Sequence, residues 1–320
     1  MPIRPLVPLL PLSPLTAASA PSPDMEVWIE PAVPLDLGAT LAPLAHGLGD
    51  PTTRVSPHEA WHALRTPAGP ATLQLSHTSR GVRTRVWGAG AEAALAGVAD
   101  LIGLTDDPSR LRPRHRVIAE LQRQMPGLRL PRSGRPFDAL LTAVLEQKVT
   151  GFEARRAYRQ LVRGYGEPAP GPPGLWLQPR ASVLAELPYH AFHPLGVERR
   201  RAEVLRAAAR LFPRLTAAAA DPARVHRLLG SIPGVGPWTL AEVRRVAFGD
   251  PDAVSIGDYH LKNRVAWVLA GERQATDARM LDLLAPYAGQ RGRVQRLIEA
   301  AALGPPRRGP RAAPRNFHDL

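Results

Sequence analysis

The feature that most constrains this chain is a short glycine-containing turn between two segments with helical periodicity. Residues 232–239 read Ile-Pro-Gly-Val-Gly-Pro-Trp-Thr, and paired Pro and Gly of this kind separate two helices. Glycine at positions 234 and 236 permits a positive φ and removes Cβ, so bare N–H groups can face a phosphate at the positive end of the next helix. An ordinary helix-to-helix turn is the alternative interpretation.

An aspartate after this turn supplies the second half of the pattern. Asp258 lies 22 residues after Gly236 and is flanked by Gly257 and Tyr259. With these residues, the stretch 228–269 resembles the helix-hairpin-helix superfamily of DNA glycosylases. It is most similar to the 3-methyladenine DNA glycosylase II branch, where Trp follows the hairpin and Tyr follows the aspartate, as Trp238 and Tyr259 do here.

The resemblance implies a base-excision DNA repair enzyme that hydrolyses the N-glycosidic bond of alkylated purines such as 3-methyladenine. The hairpin would grip the DNA backbone, and the damaged base would flip out of the duplex. As an anion, Asp258 can stabilise an oxocarbenium-like sugar and orient or deprotonate the attacking water. The alternative role of Asp258 is an N-cap, because a helix is predicted to begin there.

The residue two positions after the last glycine of the turn bears on whether the enzyme also cleaves the DNA strand. Bifunctional relatives have a lysine there, which forms a Schiff base with the sugar and leads to strand cleavage. This chain has Trp238 at that position, and neither of its two lysines, Lys148 and Lys262, replaces it obviously. We therefore expect a monofunctional glycosylase that leaves an abasic site in an unbroken strand.

The resemblance also implies a pocket for the flipped base. Trp238 and Tyr259 are its expected aromatic walls, since a cationic alkylated purine stacks well on electron-rich rings. Core packing is the alternative role of both. Glu242 and Gln290 stand where the prototype of the branch has aromatic residues, so we expect a more polar pocket.

Contacts with DNA are expected from two segments. At the hairpin, the phosphate contacts implied by the resemblance are the backbone N–H groups of Gly234, Val235 and Gly236, helped by Thr239 and by Arg244 or Arg245. A monovalent cation at the main chain of the hairpin is compatible with the resemblance. No other cofactor and no metal held by side chains is expected.

Residues 145–150 resemble the family's segment that bears the intercalating wedge. Lys148 stands where the prototype has an apolar residue, and a lysine is a poor wedge. Gln147 or Val149 can act as the wedge instead. In the alternative interpretation Val144 and Leu145 are core residues, and Lys148 contacts a phosphate.

Two other functions stay open at this stage. A non-enzymatic helix-hairpin-helix protein would hold DNA without needing Asp258 beside Tyr259. A glycosylase for oxidised or deaminated bases differs in substrate only. The oxidised-guanine branch commonly has the catalytic lysine that is missing here.

Composition agrees with double-stranded DNA as the partner. The formal net charge is +13, which attracts a polyanion in a salt-dependent way. The absence of cysteine excludes disulfides, Cys-ligated zinc and the four-Cys iron–sulfur cluster of some relatives. No apolar run is long enough to span a bilayer, and we expect a monomer that acts in the cytoplasm at the nucleoid.

Both ends of the chain differ in composition from its centre. Seven of the first 24 residues are proline, which argues against the helical core of a signal peptide. We interpret residues 1–24 as a Pro-rich disordered tail; a signal peptide, or a true start at Met25, are the alternatives. The basic, proline-rich residues 305–320 are also predicted to be disordered, with transient DNA contact as the second interpretation.

Between the tails, the periodicity predicts a mainly α protein with a small N-terminal α+β domain and a two-lobed helix-hairpin-helix glycosylase architecture. Residues 25–112 form the α+β domain, with strands at 26–30, 72–77 and 82–87 and helices at 37–48 and 91–104. Residues 113–304 form the all-α catalytic region. Its predicted helices span 115–125, 136–149, 151–164, 198–212, 221–230, 237–248, 258–270, 277–286 and 291–303.

Overall fold

The computed structural model describes residues 21–306. The predictions for the Pro-rich and basic tails therefore lie almost entirely outside the described residues. Within the described range no helix is long and apolar enough to cross a membrane.

The N-terminal part contains a five-stranded antiparallel sheet. Its strands are β1 (Met25–Ile29), β2 (Thr53–Val55), β3 (Glu59–Thr66), β4 (Gly69–Thr78) and β5 (Gly81–Trp87), in the order β1-β5-β4-β3-β2. The predicted strands 72–77 and 82–87 are part of β4 and β5, which form an antiparallel hairpin with Leu73 opposite Val86. The sequence prediction missed β2 and β3. It also missed that β3 pairs with β4 over the length of both strands.

Three short helices cover one face of this sheet. They are α1 (Leu37–Leu41), α2 (Ala91–Ala96) and α3 (Val98–Leu101). Leu37, Leu73, Val86, Val98 and Ile102 are among the residues of the core between them. The predicted helix 91–104 is broken at Gly97, and the predicted helix 37–48 ends at Leu41 and continues as a 3-10 turn. A glycine is a weak helix former, which explains the break.

Helices make up most of the remainder, as predicted. They are α4 (Arg116–Gln124), α5 (Pro136–Glu146), α6 (Gly151–Tyr165), α7 (Ala181–Glu186), α8 (Tyr189–Phe192), α9 (Arg199–Arg210), α10 (Phe212–Ala217), α11 (Pro222–Gly230), α12 (Pro237–Phe248), α13 (Leu261–Ala270), α14 (Asp277–Leu284) and α15 (Arg291–Ala300). The sequence prediction missed α7, α8 and α10. Two-residue strands, β6 (Glu167–Pro168) and β7 (Trp176–Leu177), pair within the Pro- and Gly-rich segment 167–179.

The helices form two cores, which agrees with a two-lobed architecture. One core includes Leu140, Leu161, Leu205, Leu229 and Val243, from α5, α6, α9, α11 and α12. The other includes Ile118, Val265, Met280 and Ile298, from α4, α13, α14 and α15. The fold is mainly α with a small antiparallel sheet, while the predicted domain boundaries stay a prediction.

Candidate active site

The turn between α11 and α12 has the geometry of an exposed hairpin. Gly234 has φ +99°, a backbone conformation that favours glycine, and a Cβ there would lie 2.7 Å from Val204 Cγ2. Both the backbone conformation and the lack of space therefore require glycine at this position. Gly236 instead has φ −104° in extended backbone, which any residue adopts. No hydrogen bond is donated by the N–H of Gly234 or of Gly236 within residues 21–306. Both groups can therefore receive an anion at the start of α12.

Two of the predicted DNA contacts at the hairpin are occupied inside the protein. The N–H of Val235 donates to the carbonyl oxygen of Ile232 at 3.0 Å, which closes the turn. The side chain of Thr239 is only 2% exposed, and its hydroxyl accepts a 2.8 Å hydrogen bond from the amide of Gln147. The Thr239 side chain therefore faces the interior, and the prediction that Thr239 helps to bind phosphate stays a prediction.

Gln147 connects the end of α5 to the hairpin. Its side-chain amide donates to the carbonyl oxygen of Gly234 at 3.1 Å and to Thr239 Oγ1 at 2.8 Å. A side chain held in this way is not free to enter a base stack, so the structure does not favour Gln147 as the wedge. Its role is to fix the hairpin against α5.

Lys148 forms the tip of the turn between α5 and α6, at residues 147–149. It is exposed and has φ +56°, the left-handed region that non-glycine residues rarely adopt. Thr150 then starts α6 with a capping box made with Glu153. The turn therefore presents Lys148 to a ligand, beside the hairpin that Gln147 holds.

Asp258 lies in the loop between α12 and α13, and it is half-buried. Its Oδ1 accepts hydrogen bonds from the backbone N–H groups of His260 and Leu261, both at 2.7 Å. These bonds start α13 at Leu261, three residues later than predicted. Within the described residues Oδ2 accepts no hydrogen bond, so capping occupies one oxygen and leaves the other for a ligand.

The two aromatic residues predicted for the base pocket differ in exposure. Trp238 lies in the first turn of α12 and is partly buried. Tyr259 is 78% exposed and stands edge-on to the ring of His260, with centroids 4.9 Å apart. This exposed ring next to Asp258 lines neither of the two cavities described below, and it offers a stacking surface.

Glu242 belongs to a hydrogen-bonded network of charges. Its Oε1 accepts from Arg245 at 3.0 Å and from the hydroxyl of Ser255, and Arg245 donates to Glu299 at 2.5 Å. Gln295 joins Ser255 to Glu299 with bonds of 3.0 and 2.7 Å. Burial alone would lower the pKa of Arg245, but the carboxylates of Glu242 and Glu299 raise it, so this guanidinium stays charged.

A cavity of about 290 Å³ lies against this network. Glu242, Arg245, Val246, Arg296 and Glu299 contribute to its wall, together with residues of the first part of the chain near Pro43. Of the residues predicted for the base pocket, Glu242 lines this cavity and Trp238 and Tyr259 do not, so the expectation of a more polar base pocket stays a prediction. The cavity has the size of a site for one small ring system.

Gln290, which was predicted to lie in the base pocket, does not line this cavity. It is 7% exposed, and its side-chain oxygen accepts a 2.7 Å hydrogen bond from Arg293, which pairs with Asp106. Gln290 therefore holds the start of α15. Arg244 is also engaged, in an ion pair with Asp250.

Glu146, the last residue of α5, carries the clearest electrostatic signal near the site. It keeps contact with solvent, yet the surrounding protein and then the carboxylate of Glu242 raise its pKa to about 7. Asp258 raises this pKa further, while Arg155 and Arg245 oppose the shift. Three carboxyl groups from α5, α12 and the loop before α13 therefore influence one another.

Sequence reasoning missed Glu146, Arg245 as a pocket residue, Ser255, Gln295 and Glu299. The i,i+3 spacing of Glu242 and Arg245 on one helix was a usable signal for their ion pair. No local signal connects Arg245 with Glu299, because the two residues are 54 positions apart in the sequence and lie on different helices.

Two other features of the described residues bear on the choice of site. Residues 21–306 contain no group of three or more His, Asp or Glu that could hold a metal ion. A larger, mostly apolar cavity of about 720 Å³ lies between β3 and the helices α5 and α10. Its lining includes none of the residues predicted for catalysis or DNA binding.

Comparison with known proteins gives relatives in sequence. No family model matches the chain. The probable bifunctional transcriptional activator/DNA repair enzyme AlkA of Mycobacterium tuberculosis is 32% identical over 140 residues, 43% of this chain and 28% of that protein. YfjP of Bacillus subtilis, named as a DNA-3-methyladenine glycosylase, is 23% identical over 134 residues, 40% of this chain and 46% of that protein. The chain thus matches less than half the length of either relative.

Solved structures show the likeness in fold. The 3-methyladenine DNA-glycosylase from Archaeoglobus fulgidus has a TM-score of 0.69 at 14% identity, covering 86% of this chain and 97% of that chain. The Clostridium acetobutylicum 8-oxoguanine glycosylase/lyase in complex with DNA has a TM-score of 0.66 at 14% identity, covering 88% and 98%. The three proteins therefore have a similar overall fold.

Proposed function

Since sequence and fold confirm the predicted resemblance to the helix-hairpin-helix DNA glycosylase superfamily and its 3-methyladenine branch, we propose that this chain is a DNA glycosylase of base-excision repair. Its substrate would be an alkylated purine such as 3-methyladenine in double-stranded DNA. One observation carries the proposal. Within residues 21–306, Asp258 is anchored through Oδ1 and its Oδ2 accepts no hydrogen bond, and the N–H groups of Gly234 and Gly236 in the hairpin donate none.

Binding begins at the phosphates. The N–H groups of Gly234 and Gly236 and the positive end of α12 receive the backbone of one strand. Lys148 reaches the duplex from the neighbouring turn. The target nucleotide then leaves the stack, at a cost of a few kcal/mol that is smallest when the lesion already weakens pairing.

Hydrolysis breaks the bond between C1′ and the base nitrogen, and the electron pair of that bond goes to the base. The sugar becomes oxocarbenium-like, and the open oxygen of Asp258 stabilises its positive charge. A water molecule attacks C1′ from the face that the base leaves open. The proton that water loses passes to Asp258 and then to solvent, and the products are the free base and an abasic site.

We propose that the strand stays intact. A lyase step needs an amine that attacks C1′, and Trp238 occupies the position where bifunctional relatives have that lysine. We further propose that the enzyme acts as a monomer on chromosomal DNA in the cytoplasm. Its net charge of +13 favours this partner.

The test measures the release of free base from methylated duplex DNA by the wild type and by Asp258→Asn. Asparagine keeps the helix cap and loses the negative charge, so we expect release of 3-methyladenine to fall by about 10² or more. Asp107→Asn, a cap in an exposed turn, removes the same charge and should keep the wild-type rate. A gel run with and without alkali should show nicks only after alkali.

Each other outcome identifies a different fault in the proposal. DNA binding without base release by the wild type would support a non-enzymatic protein. Full activity of Asp258→Asn would remove Asp258 from the reaction, and nicks without alkali would show a lyase. Release of oxidised or deaminated bases alone would change the substrate class.

A further inference from the structure

Three consecutive arginines begin α9, and two of them have partners within the protein. Arg201 is only 2% exposed, and its guanidinium donates to the carbonyl oxygen of Leu145 at 2.8 Å and to that of Gly196 at 2.9 Å. Arg199 lies over the ring of Tyr189, with its Cζ 4.6 Å from the ring centroid. These two side chains therefore support the packing of α9 against its neighbours.

Arg200, the middle residue of the three, has no such partner. Its side chain is exposed, and within residues 21–306 it forms no ion pair and donates no hydrogen bond. The first turn of a helix disfavours a positive charge, because the backbone N–H groups there carry partial positive charge themselves. The contacts of the free protein therefore give no reason for an arginine at this position.

The guanidinium of Arg200 lies beside the hairpin. The Cβ position of Gly234 is 2.7 Å from Val204 Cγ2 and 3.8 Å from Arg200 Nε. Since that position is about 2.5 Å from the nitrogen of Gly234, this nitrogen and Arg200 Nε are at most about 6.3 Å apart. A phosphate whose oxygens each accept a hydrogen bond of about 2.9 Å spans such a distance. One phosphate is therefore within reach of both donors.

Hydrogen bonds hold the start of α9 in place relative to the hairpin. Arg201 binds the last turn of α5 through the carbonyl oxygen of Leu145, and Gln147, two residues later, donates to the carbonyl oxygen of Gly234. The start of α9, the end of α5 and the hairpin are joined in this way. Arg200 is thus carried by a fixed backbone, so less conformational freedom is lost when it binds a ligand.

We propose that Arg200 is the side-chain donor of a phosphate site whose backbone donors are the free N–H groups of the hairpin. The inference rests on duplex DNA as the partner in the proposed function, and it adds a residue outside the hairpin. The planar guanidinium donates two parallel hydrogen bonds to one phosphate. The phosphate in turn neutralises the unfavourable positive charge at the start of α9.

The experiment measures the affinity for an undamaged DNA duplex at several salt concentrations. Arg200→Gln removes one phosphate contact, so the slope of log affinity against log salt should fall by about one unit, and affinity near 0.1 M salt by about five- to tenfold. Arg200→Lys keeps the charge and should restore the slope, with a smaller loss of affinity because an ammonium group does not bind in a bidentate manner. The Tm of Arg200→Gln should equal or slightly exceed that of the wild type.

Arg210→Gln is the matched control. Arg210 is exposed at the other end of α9, about 15 Å away along the helix axis, and its replacement changes the net charge equally. Its slope should be that of the wild type. An unchanged slope in Arg200→Gln, an equal fall in Arg210→Gln, or a slope that Arg200→Lys does not restore would overturn the inference.

This readout does not depend on base release. A wild type that binds with the slope change at Arg200, yet releases no base from methylated DNA, would support the phosphate site and overturn the proposed glycosylase. Base release by a protein whose slope is the same in Arg200→Gln would do the reverse. A wild type that binds no duplex DNA would overturn both.

Discussion

Two neighbouring turns at the candidate site pass through the left-handed region of backbone space with different residues. The hairpin before α12 uses Gly234 at φ +99°, where Val204 leaves no room for a side chain. The turn between α5 and α6 uses Lys148 at φ +56°, and its side chain is exposed. In the first turn, packing against Val204 requires a glycine at position 234. In the second turn an unfavourable conformation carries a charged side chain, and such outliers tend to occur at functional sites.

Of the substitutions in these two turns, Gly234→Ala should lower the free energy of unfolding the most. The backbone would be strained at φ +99°, and the new Cβ would meet Val204 at 2.7 Å, so we expect a loss of about 2–3 kcal/mol in the free energy of unfolding. Urea denaturation measures the loss. Duplex binding should weaken with it, because the free N–H groups lie in this turn.

Gly236→Ala is the matched control for that substitution. Gly236 has extended backbone, and a Cβ there would meet no atom within 4 Å, so the change should stay within about 0.5 kcal/mol. Equal losses at the two glycines would show that the left-handed conformation of Gly234 is unimportant.

Removing the Gln147 side chain, which connects the two turns, should cause the next largest loss in the free energy of unfolding. Gln147→Ala removes both side-chain hydrogen bonds and leaves the hydroxyl of buried Thr239 without its partner, at a cost of about 1–2 kcal/mol. A double-mutant cycle with Thr239→Val measures the coupling directly. We expect an interaction energy of about 0.5–1 kcal/mol. Additive losses would mean that Gln147 supports the hairpin through Gly234 alone.

The two turns also differ in how far sequence predicts them. The glycine turn, the start of α12 at Pro237 and the approximate place of Asp258 before a helix follow from local chemistry. The β4–β5 hairpin follows likewise from alternation of apolar and polar residues. Local patterns did not reveal that Gly236 is extended or that α13 starts at Leu261. The start of α13 depends on the side chain of Asp258, whose Oδ1 accepts a hydrogen bond from the N–H of Leu261.

Contacts between distant segments were beyond local patterns altogether. The sequence predicts Glu242 in the base pocket and Arg244 or Arg245 at a phosphate, and it gives no indication that Glu299 contacts Arg245. Gln290 was placed in the pocket by alignment with an aromatic position, whereas it binds Arg293 instead. A pocket wall assembled from α12 and α15 is fixed by packing of the two helices, which no single stretch of sequence encodes.

Glu146, at the start of the Lys148 turn, should make stability depend on pH. The pKa of Glu146 in the folded state, about 7, lies above the ordinary value of 4.5. The stability that this carboxyl group contributes to the folded state is therefore complete below about pH 4.5 and is lost as the pH rises to about 7. Glu146→Gln should therefore match the wild-type Tm in acid and exceed it by about 2–3 °C above pH 7, since water screens part of the shift. A Tm difference that does not vary with pH, or one that Glu92→Gln at an exposed position of α2 reproduces, would contradict the environment assigned to Glu146.

Substitutions of Lys148 should have the smallest effect on stability, and they test whether its side chain contacts a phosphate. Glycine relieves the left-handed strain but also frees the unfolded chain, so Lys148→Gly should gain only about 0.5 kcal/mol in stability. The same change removes a cation, so the slope of duplex affinity against salt should fall by about one unit. Lys148→Asn, which tolerates this backbone conformation, should show the same change in slope. If both variants bind duplex DNA with the wild-type slope, Lys148 makes no phosphate contact. The lysine would then have to be explained by insertion into the duplex or by no contact with DNA at all.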